Sequence, residues 1–414
     1  MKGSVSRILT AYLGGLGSGV AWVGLLVLIG LCAAPMVEAS EPQFQVNSYT
    51  PSEQRFPQID AFDDGGFIVT WTSRLFPEGN TTANVIARRF DASLAPIGDD
   101  FLVAGSETET TGHRVATQPD GGFLVVWTYR YSEPTRSEVW SRLYSSTGAP
   151  AGPGSMLRAD RGVAQVESDD QGRFTLLLGS LEGWHLQRLD AAGTPLGEES
   201  FVYNPPFVEG VDLATRGDGR SMVFWGDTAY RYRRYNADGT PASVPTVAPI
   251  EGAGKAEIVA TDEGYYLLGS PNISDLAGQR IDPIGHVLGS EFSTPALGGG
   301  GVLEGFAHHP ETGYAFVRQT FGPVGDPFGG VEQGRISPQE EVLNLLHVNT
   351  YTFHEQGDPA ITALSDGTFL VVWHSTFSDT GDPNWSIQAR RIRDDIFADG
   401  FESGDTSAWS IPTP

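Results

Sequence analysis

A chain of 414 residues with 51 acidic and 26 basic side chains carries a formal charge of −25. Such a surface repels phosphate backbones and anionic lipid, which argues against nucleic acid and membrane surfaces as partners. Cys32 is the only cysteine, so a disulfide framework is excluded and stability must come from a hydrophobic core.

At the N-terminus, Lys2 and Arg7 precede a stretch without charge that runs to Glu38 and contains "GVAWVGLLVLIGLCAA". With "VEA" at 37–39 as a cleavage site, residues 1–39 read as a signal peptide, which predicts a secreted or cell-surface protein. An uncleaved anchor is the alternative, because the uncharged stretch is long enough to span a bilayer. Leu31 before Cys32 argues against a lipoprotein signal. Cleavage would remove two positive charges and one negative, leaving about −26 on roughly 375 residues. The next segment, "PQFQVNS" (42–48), looks like the last piece of a repeat whose beginning is missing.

Seven related units follow. The first contains "QIDAFDDGGFIVTW" and "VIARRFDASLAPIGDDFLVA", the second "RVATQPDGGFLVVW" and "VWSRLYSSTGAPAGPGSMLRA", and the seventh "AITALSDGTFLVVW" and "IQARRIRDD", where it stops. One arginine recurs in every unit, at 89, 142, 188, 234, 280, 335 and 391, with spacings of 53, 46, 46, 46, 55 and 56. That period suits a four-stranded propeller blade. In each unit a short strand A leads through an Asp-Gly or Gly-Gly turn, which accepts positive φ, into an apolar strand B. Strand C carries the arginine, and a second turn leads to strand D. Phe67/Trp71, Phe123/Trp127 and Phe369/Trp373 are four apart on strand B, so each pair shares one face and reads as packing between stacked blades. The seventh unit lacks strand D, and "FQVNS" is a strand D without a unit. The predicted fold is therefore all-β: a seven-bladed β-propeller over 40–395, closed by an N-terminal strand that completes the last blade. Two tandem sandwiches would explain neither the orphan strand nor the even period.

The units also resemble a repeat of secreted bacterial proteins, often large calcium-dependent adhesins or RTX-type exoproteins, with the pattern "DGGFVVxW" then "QRFDxxGxPxGxEFxVN". "PDGGFLVVW" (119–127), "SDGTFLVVW" (365–373), "QRLDAAGTPLGEESFV" (187–202), "QRIDPIGHVLGSEF" (279–292) and "FQVN" (44–47) carry the likeness. The resemblance implies a propeller and extracellular recognition, and no defined activity. The tail "IFADGFESGDTSAWS" (396–410) resembles a stereotyped C-terminal tail of secreted gammaproteobacterial proteins, which implies that 396–414 serve export or surface sorting. Asp395, Asp399, Glu402 and Asp405 faintly resemble a calcium loop, but Phe397 and Thr406 stand where ligands are wanted, so no cofactor is expected and calcium remains open.

The B–C connections of units six, seven, one and two are long and rich in Gly, Pro and aromatics, whereas those of units three to five are short. Once the ring closes, these four units are neighbours, which predicts a raised rim on half of one face. Phe76, Tyr129, Tyr131, Phe321, Phe328, Phe377 and Trp385 could stack on sugars or peptide side chains there, with Arg74, Arg130, Asp379 and His374 as polar contacts. The alternative is that these aromatics simply pack the loops onto the blades. A second candidate is the channel mouth, which Gln58, Arg114, Gln165, Asp212, Glu257, Gly305 and Ala360 should line. Asp212 and Glu257 come from adjacent blades and could form a carboxylate pair for acid/base work on a glycosidic bond. "SDDQGRFT" (168–175) touches the Asp-box pattern of sialidases once, and turn chemistry explains it better. His308 and His309 read as surface residues, and the recurrent arginine as a structural residue pairing with a carboxylate or carbonyl. No P-loop, HExxH, nucleophile elbow or CxxC occurs. These residues lead to the expectation of a monomeric, non-enzymatic propeller that binds an extracellular glycan or protein through the B–C rim. A hydrolase or lyase at the channel mouth and a plain scaffold are the alternatives.

Overall fold

A computed structural model describes residues 41–393 apart from 77–81, 106–108, 133–134, 205–209, 295–296, 298–299, 322–328, 338–341 and 378–383. The proposed signal segment 1–39 and the tail 396–414 lie outside the described residues. Among those described there are 28 strands and no helix, so no helix is long and apolar enough to cross a membrane.

The strands form seven antiparallel four-stranded sheets, each one blade of a β-propeller. Six blades take four consecutive strands, as in blade 1 with Gln54–Ala61, Phe67–Ser73, Asn84–Phe90 and Pro96–Ala104. The inner strands of blades 2 to 7 are Glu109–Thr117, Gly162–Ser168, Gly210–Thr215, Lys255–Thr261, Gly300–His309 and Gln356–Ala363. Blade 7 is composite. Its three C-terminal strands end in Trp385–Ile392, and the fourth is Phe44–Gln45 from the other end of the chain, with Phe44 opposite Ala389. The ladder continues past that short strand, because Val46 N donates to Ile387 O at 2.8 Å and Ile387 N donates to Asn47 Oδ1 at 2.8 Å. The predicted closure is what the structure contains.

Strand B is buried on both faces in every blade, which is why it reads as a continuous apolar run and not as an alternation. Its side chains point alternately at the two neighbouring blades. In blade 1, Phe67, Val69 and Trp71 pack against Leu370, Val372 and Ile387 of blade 7, while Ile68 joins Phe123, Val125 and Trp127 of blade 2. Trp71 and Trp373 are fully buried and Trp127 nearly so, each worth roughly 3 kcal/mol in apolar burial.

The A–B turns are tight, and they place glycine where the chain needs positive φ: Gly65 and Gly367 both sit at φ 84°. The C–D turns use the same device at Gly148, Gly193, Gly239 and Gly285, but blade 1 puts Leu94 there at φ 68°. The recurrent arginines tie these turns together. Arg188 Nη2 donates to Asp169 Oδ2 at 2.8 Å, Arg335 Nη2 to Thr312 O at 2.7 Å and Arg142 Nη1 to Val103 O at 2.9 Å. Arg234 reaches Pro283 O at 3.3 Å and Arg280 pairs with Glu263 at 3.3 Å. Arg391 pairs with Asp366 and reaches Ala92 O across the closure, while Arg89 lies over the Phe62 ring at 5.2 Å. Asp169 of the lone Asp-box-like segment is this kind of anchor: it also accepts the Gln171 and Arg173 amides of its own turn.

Candidate functional site

The seven inner strands line a central channel. Five of them break register at the same height, between Arg55 and Gln58, Thr111 and His113, Val163 and Gln165, Leu303 and Gly305, and Gly357 and Ala360. Blades 4 and 5 pair without a break. In blades 1 and 7 a proline occupies the bulge and offers no amide to the ladder. The residue before it takes a left-handed conformation, Phe56 at φ 55° and Asp358 at φ 48°. Side chains other than glycine are strained there, and a residue before proline also avoids the α region.

These bulges open the channel on the side where the B–C connections emerge. The cavity there is about 570 Å³, and Arg55, Phe56, Arg74, Lys255, Glu304 and Asp358 are among its lining. A smaller one of about 320 Å³ opens on the side of the A–B turns. The two share one ring with a residue from each blade: Gln58, Arg114, Gln165, Asp212, Glu257, Glu304 and Ala360. Six of these match the ring read from the sequence. In blade 6 the bulge puts Glu304 in the ring, and Gly305 lines only the A–B side.

The ring is rich in charge held in a desolvated place. Asp212 accepts the Ile258 amide at 3.1 Å and the Gln165 side-chain amide at 3.0 Å, so it staples blades 3, 4 and 5. Burial raises its pKa despite those bonds. Glu257 accepts no hydrogen bond from the described residues, and burial together with nearby Asp212 pushes its carboxyl well above the ordinary range. Burial also raises Glu304, against the pull of Lys255, whose Nζ lies 3.4 Å away. Arg114 is the cation among them: burial lowers its pKa while Asp212, Glu257 and Glu304 hold it charged. Beside it, His113 is 2% exposed and pushed down to about 3 by burial and by Arg114, so it is neutral near pH 7. Below the ring, Glu167 is raised well above its usual value by burial and by Asp60 and Asp212.

The rim residues do not converge. Of the nine proposed contacts among the described residues, only Arg74 lines the cavity, where it pairs with Glu53 at 3.6 Å. Tyr129 is buried between Trp127 and Trp140, and the rest of its insertion prolongs a hairpin in which Tyr131 faces Arg136, so this segment makes strand and little loop. Tyr131 donates to Glu138 at 3.0 Å, and Arg130 is exposed. Phe76 packs edge-on against Tyr49, while Phe321 and Phe377 are exposed at 56% and 41%. His374 is buried, with Trp385 at 4.7 Å and Asp358 Oδ2 2.9 Å from its Nδ1. Trp385 also carries the Arg55 guanidinium 4.0 Å above its ring. Phe328, Asp379, Asp395, Asp399, Glu402 and Asp405 lie outside the described residues. Among those described, no cluster of three or more acidic, His or Cys side chains is arranged to hold a metal. His308 is half-buried at the A–B end of the channel, stacked on Tyr314, and is not the surface residue expected.

Arg55, Phe56, His113, Lys255, Glu304 and Asp358 are among the cavity residues that the sequence reading missed. The signal that could have found Phe56 and Asp358 is the shared pattern of "RFPQI" (55–59) and "GDPAI" (357–361), a proline two places before the apolar residue of strand A in neighbouring blades.

No family model matches the chain, and no curated protein is similar to it in sequence. Solved structures resemble its fold. A fungal alcohol oxidase of the AA5 family, in complex with copper, superposes with a TM-score of 0.54 at 12% identity, over 87% of this chain and 77% of that one. An α-L-arabinofuranosidase from Fusarium graminearum, in complex with an iminosugar inhibitor, gives 0.50 at 9% identity, over 85% and 98%. A protein of unknown function from Dyadobacter fermentans gives 0.50 at 11% identity, over 87% and 100%. At such identities the likeness establishes the fold alone: the chain is a seven-bladed β-propeller.

Proposed function

We propose that this protein is an exported propeller that binds an extracellular glycan or protein surface at the mouth of its central channel, on the face of the B–C connections. The observation that carries this reading is the cavity of about 570 Å³, in which charged side chains of both signs stand beside an exposed aromatic. On this reading the ligand sits at the centre and not on the outer rim. The arabinofuranosidase with its inhibitor supports a saccharide as one candidate, since a propeller of the same general fold takes a sugar mimic. Binding without turnover is favoured because both oxygens of Asp212 are already engaged in joining blades. A hydrolase remains the second reading on one specific observation: Glu257 is a carboxyl with raised pKa and no hydrogen bond from the described residues, as a proton donor requires.

The test is a glycan array probed with the purified protein, once with calcium and once with chelator, followed by Glu257→Gln on any hit. Retained binding without product, in wild type and variant alike, supports a binding protein. Product released by the wild type and lost in Glu257→Gln would make it an enzyme. Calcium dependence in the array would assign the metal role that the tail leaves open.

A further inference from the structure

Phe56 and Asp358 stand at the same structural position in blades that are neighbours across the closure. Both are non-glycine residues at positive φ before a proline, and both line the cavity. Phe56 is 47% exposed, so packing does not reward its strain. Between them lies Arg55. Its guanidinium makes no hydrogen bond or ion pair with the described residues; it rests on Trp385 at 4.0 Å and on Phe56 at 5.1 Å, and its Nε is buried without an acceptor. Behind Asp358, buried His374 has neither ring nitrogen in a hydrogen bond of good geometry.

We infer that these residues form a saccharide subsite: Phe56 is the platform for the apolar face of a neutral sugar ring, and Asp358 and Arg55 bind its hydroxyls. This rests on the central-mouth reading above and names the ligand class. A sugar ring has one apolar C–H face and an equatorial edge of hydroxyls, and it needs an aromatic plane beside both an acceptor and a fork of donors. Arg55 supplies donors that none of the described residues occupies, held over the ring of Trp385. Asp358 supplies two acceptor oxygens, one of them near His374. The sugar is neutral because cations (Arg55, Arg74, Arg114, Lys255) and carboxyls (Glu53, Asp212, Glu257, Glu304, Asp358) share the same cavity, so neither sign of charge prevails to select an ionic one. A peptide anchor would seek an apolar pocket, whereas charged side chains stand throughout this lining.

The subsite is tested on an array of neutral oligosaccharides derived from cellulose, xylan, mannan, chitin and β-glucan, with titration calorimetry on whichever oligosaccharide the wild type selects. Phe56→Ala and Asp358→Asn should each weaken that oligosaccharide by about tenfold or more, Phe56→Trp should restore it, and Arg130→Ala should leave it unchanged. Asn tolerates the left-handed conformation, so Asp358→Asn removes charge without remodelling the bulge. Binding that survives Phe56→Ala and Asp358→Asn but is lost in Glu257→Gln would overturn the subsite and leave the central mouth standing. Binding lost only in Phe321→Ala would overturn both. A blank array with folded wild-type protein would overturn the saccharide assignment alone, since the central mouth also admits a protein ligand.

Discussion

The two ends of the channel are built by opposite means. At the A–B end each blade repeats one device, a tight turn with a glycine at positive φ and an arginine from strand C beneath it, and strain is taken by residues that bear it cheaply. At the B–C end the repeat is broken in five blades of seven, and the strain falls on Phe56, which is 47% exposed, and on Asp358, which faces buried His374. Regularity there would have been simple to keep, since blades 4 and 5 keep it. The difference teaches that regularity serves stability at one end, while the other end departs from it at a cost in strain.

Breaking the regular end should cost most. Asp169→Ala leaves Arg188, 2% exposed, without its carboxylate and frees the turn amides of Gln171 and Arg173. A loss of about 3–4 kcal/mol in urea unfolding is expected. A loss under about 1 kcal/mol would mean that the arginine ladder is ornamental. Gln118→Ala should cost less, about 1–2 kcal/mol, because it removes the donor that joins blade 2 to Gly172 O and Ala191 O of blade 3.

The channel between the two ends should show itself in pH. The carboxyls of Glu257 and Glu167 have folded pKa values above their unfolded 4.5, so the native state binds more protons than the unfolded one as pH rises past that value. Stability must then fall with rising pH above 4.5, and Glu257→Gln with Glu167→Gln should flatten that decline in a series of thermal melts. His113 works in the other direction. Its folded value of about 3 against 6.5 unfolded removes stability as pH falls below 6.5, and His113→Asn should relieve that loss. A double Gln variant as pH-sensitive as the wild type would show that these carboxyls are solvated.

The smallest effect should have the opposite sign. Phe56→Gly relieves the left-handed strain at the elaborate end, and a gain of about 1 kcal/mol is expected together with loss of binding. A stability loss instead would mean that Phe56 is held by packing, and the contrast between the two ends would weaken.

Most of the fold was legible because it is written seven times. A glycine turn, an apolar strand and one arginine recur at near-even spacing, and the orphan "FQVN" named its own partner by elimination. The channel ring was legible in six blades of seven, four of which break register near it. Asp212 and Glu257 fall in the ring as read, because blades 4 and 5 pair without a break. Glu304 displaced Gly305 because a bulge shifts the count by one, and a shift of one turns a side chain to the other face. Tyr129 misled for a related reason: polar and aromatic residues after strand B look like a loop, yet the hairpin runs on to Ser132, and cross-strand pairing with Glu138 buries the ring.

The seam in blade 7 has a consequence for how the molecule is made. Ile387 and Asn47 are 340 residues apart in sequence, yet they share a hydrogen bond, and Arg393 meets Glu41 at 2.6 Å. The N-terminal strand of the ring therefore waits for the last strand of blade 7, and the ring closes only once all seven units are available. Because its two ends already touch, the ring has no privileged starting point. Joining them with a short linker and opening the chain at an exposed C–D turn should give a circular permutant with the same seven blades, in which the closing strand no longer has to wait.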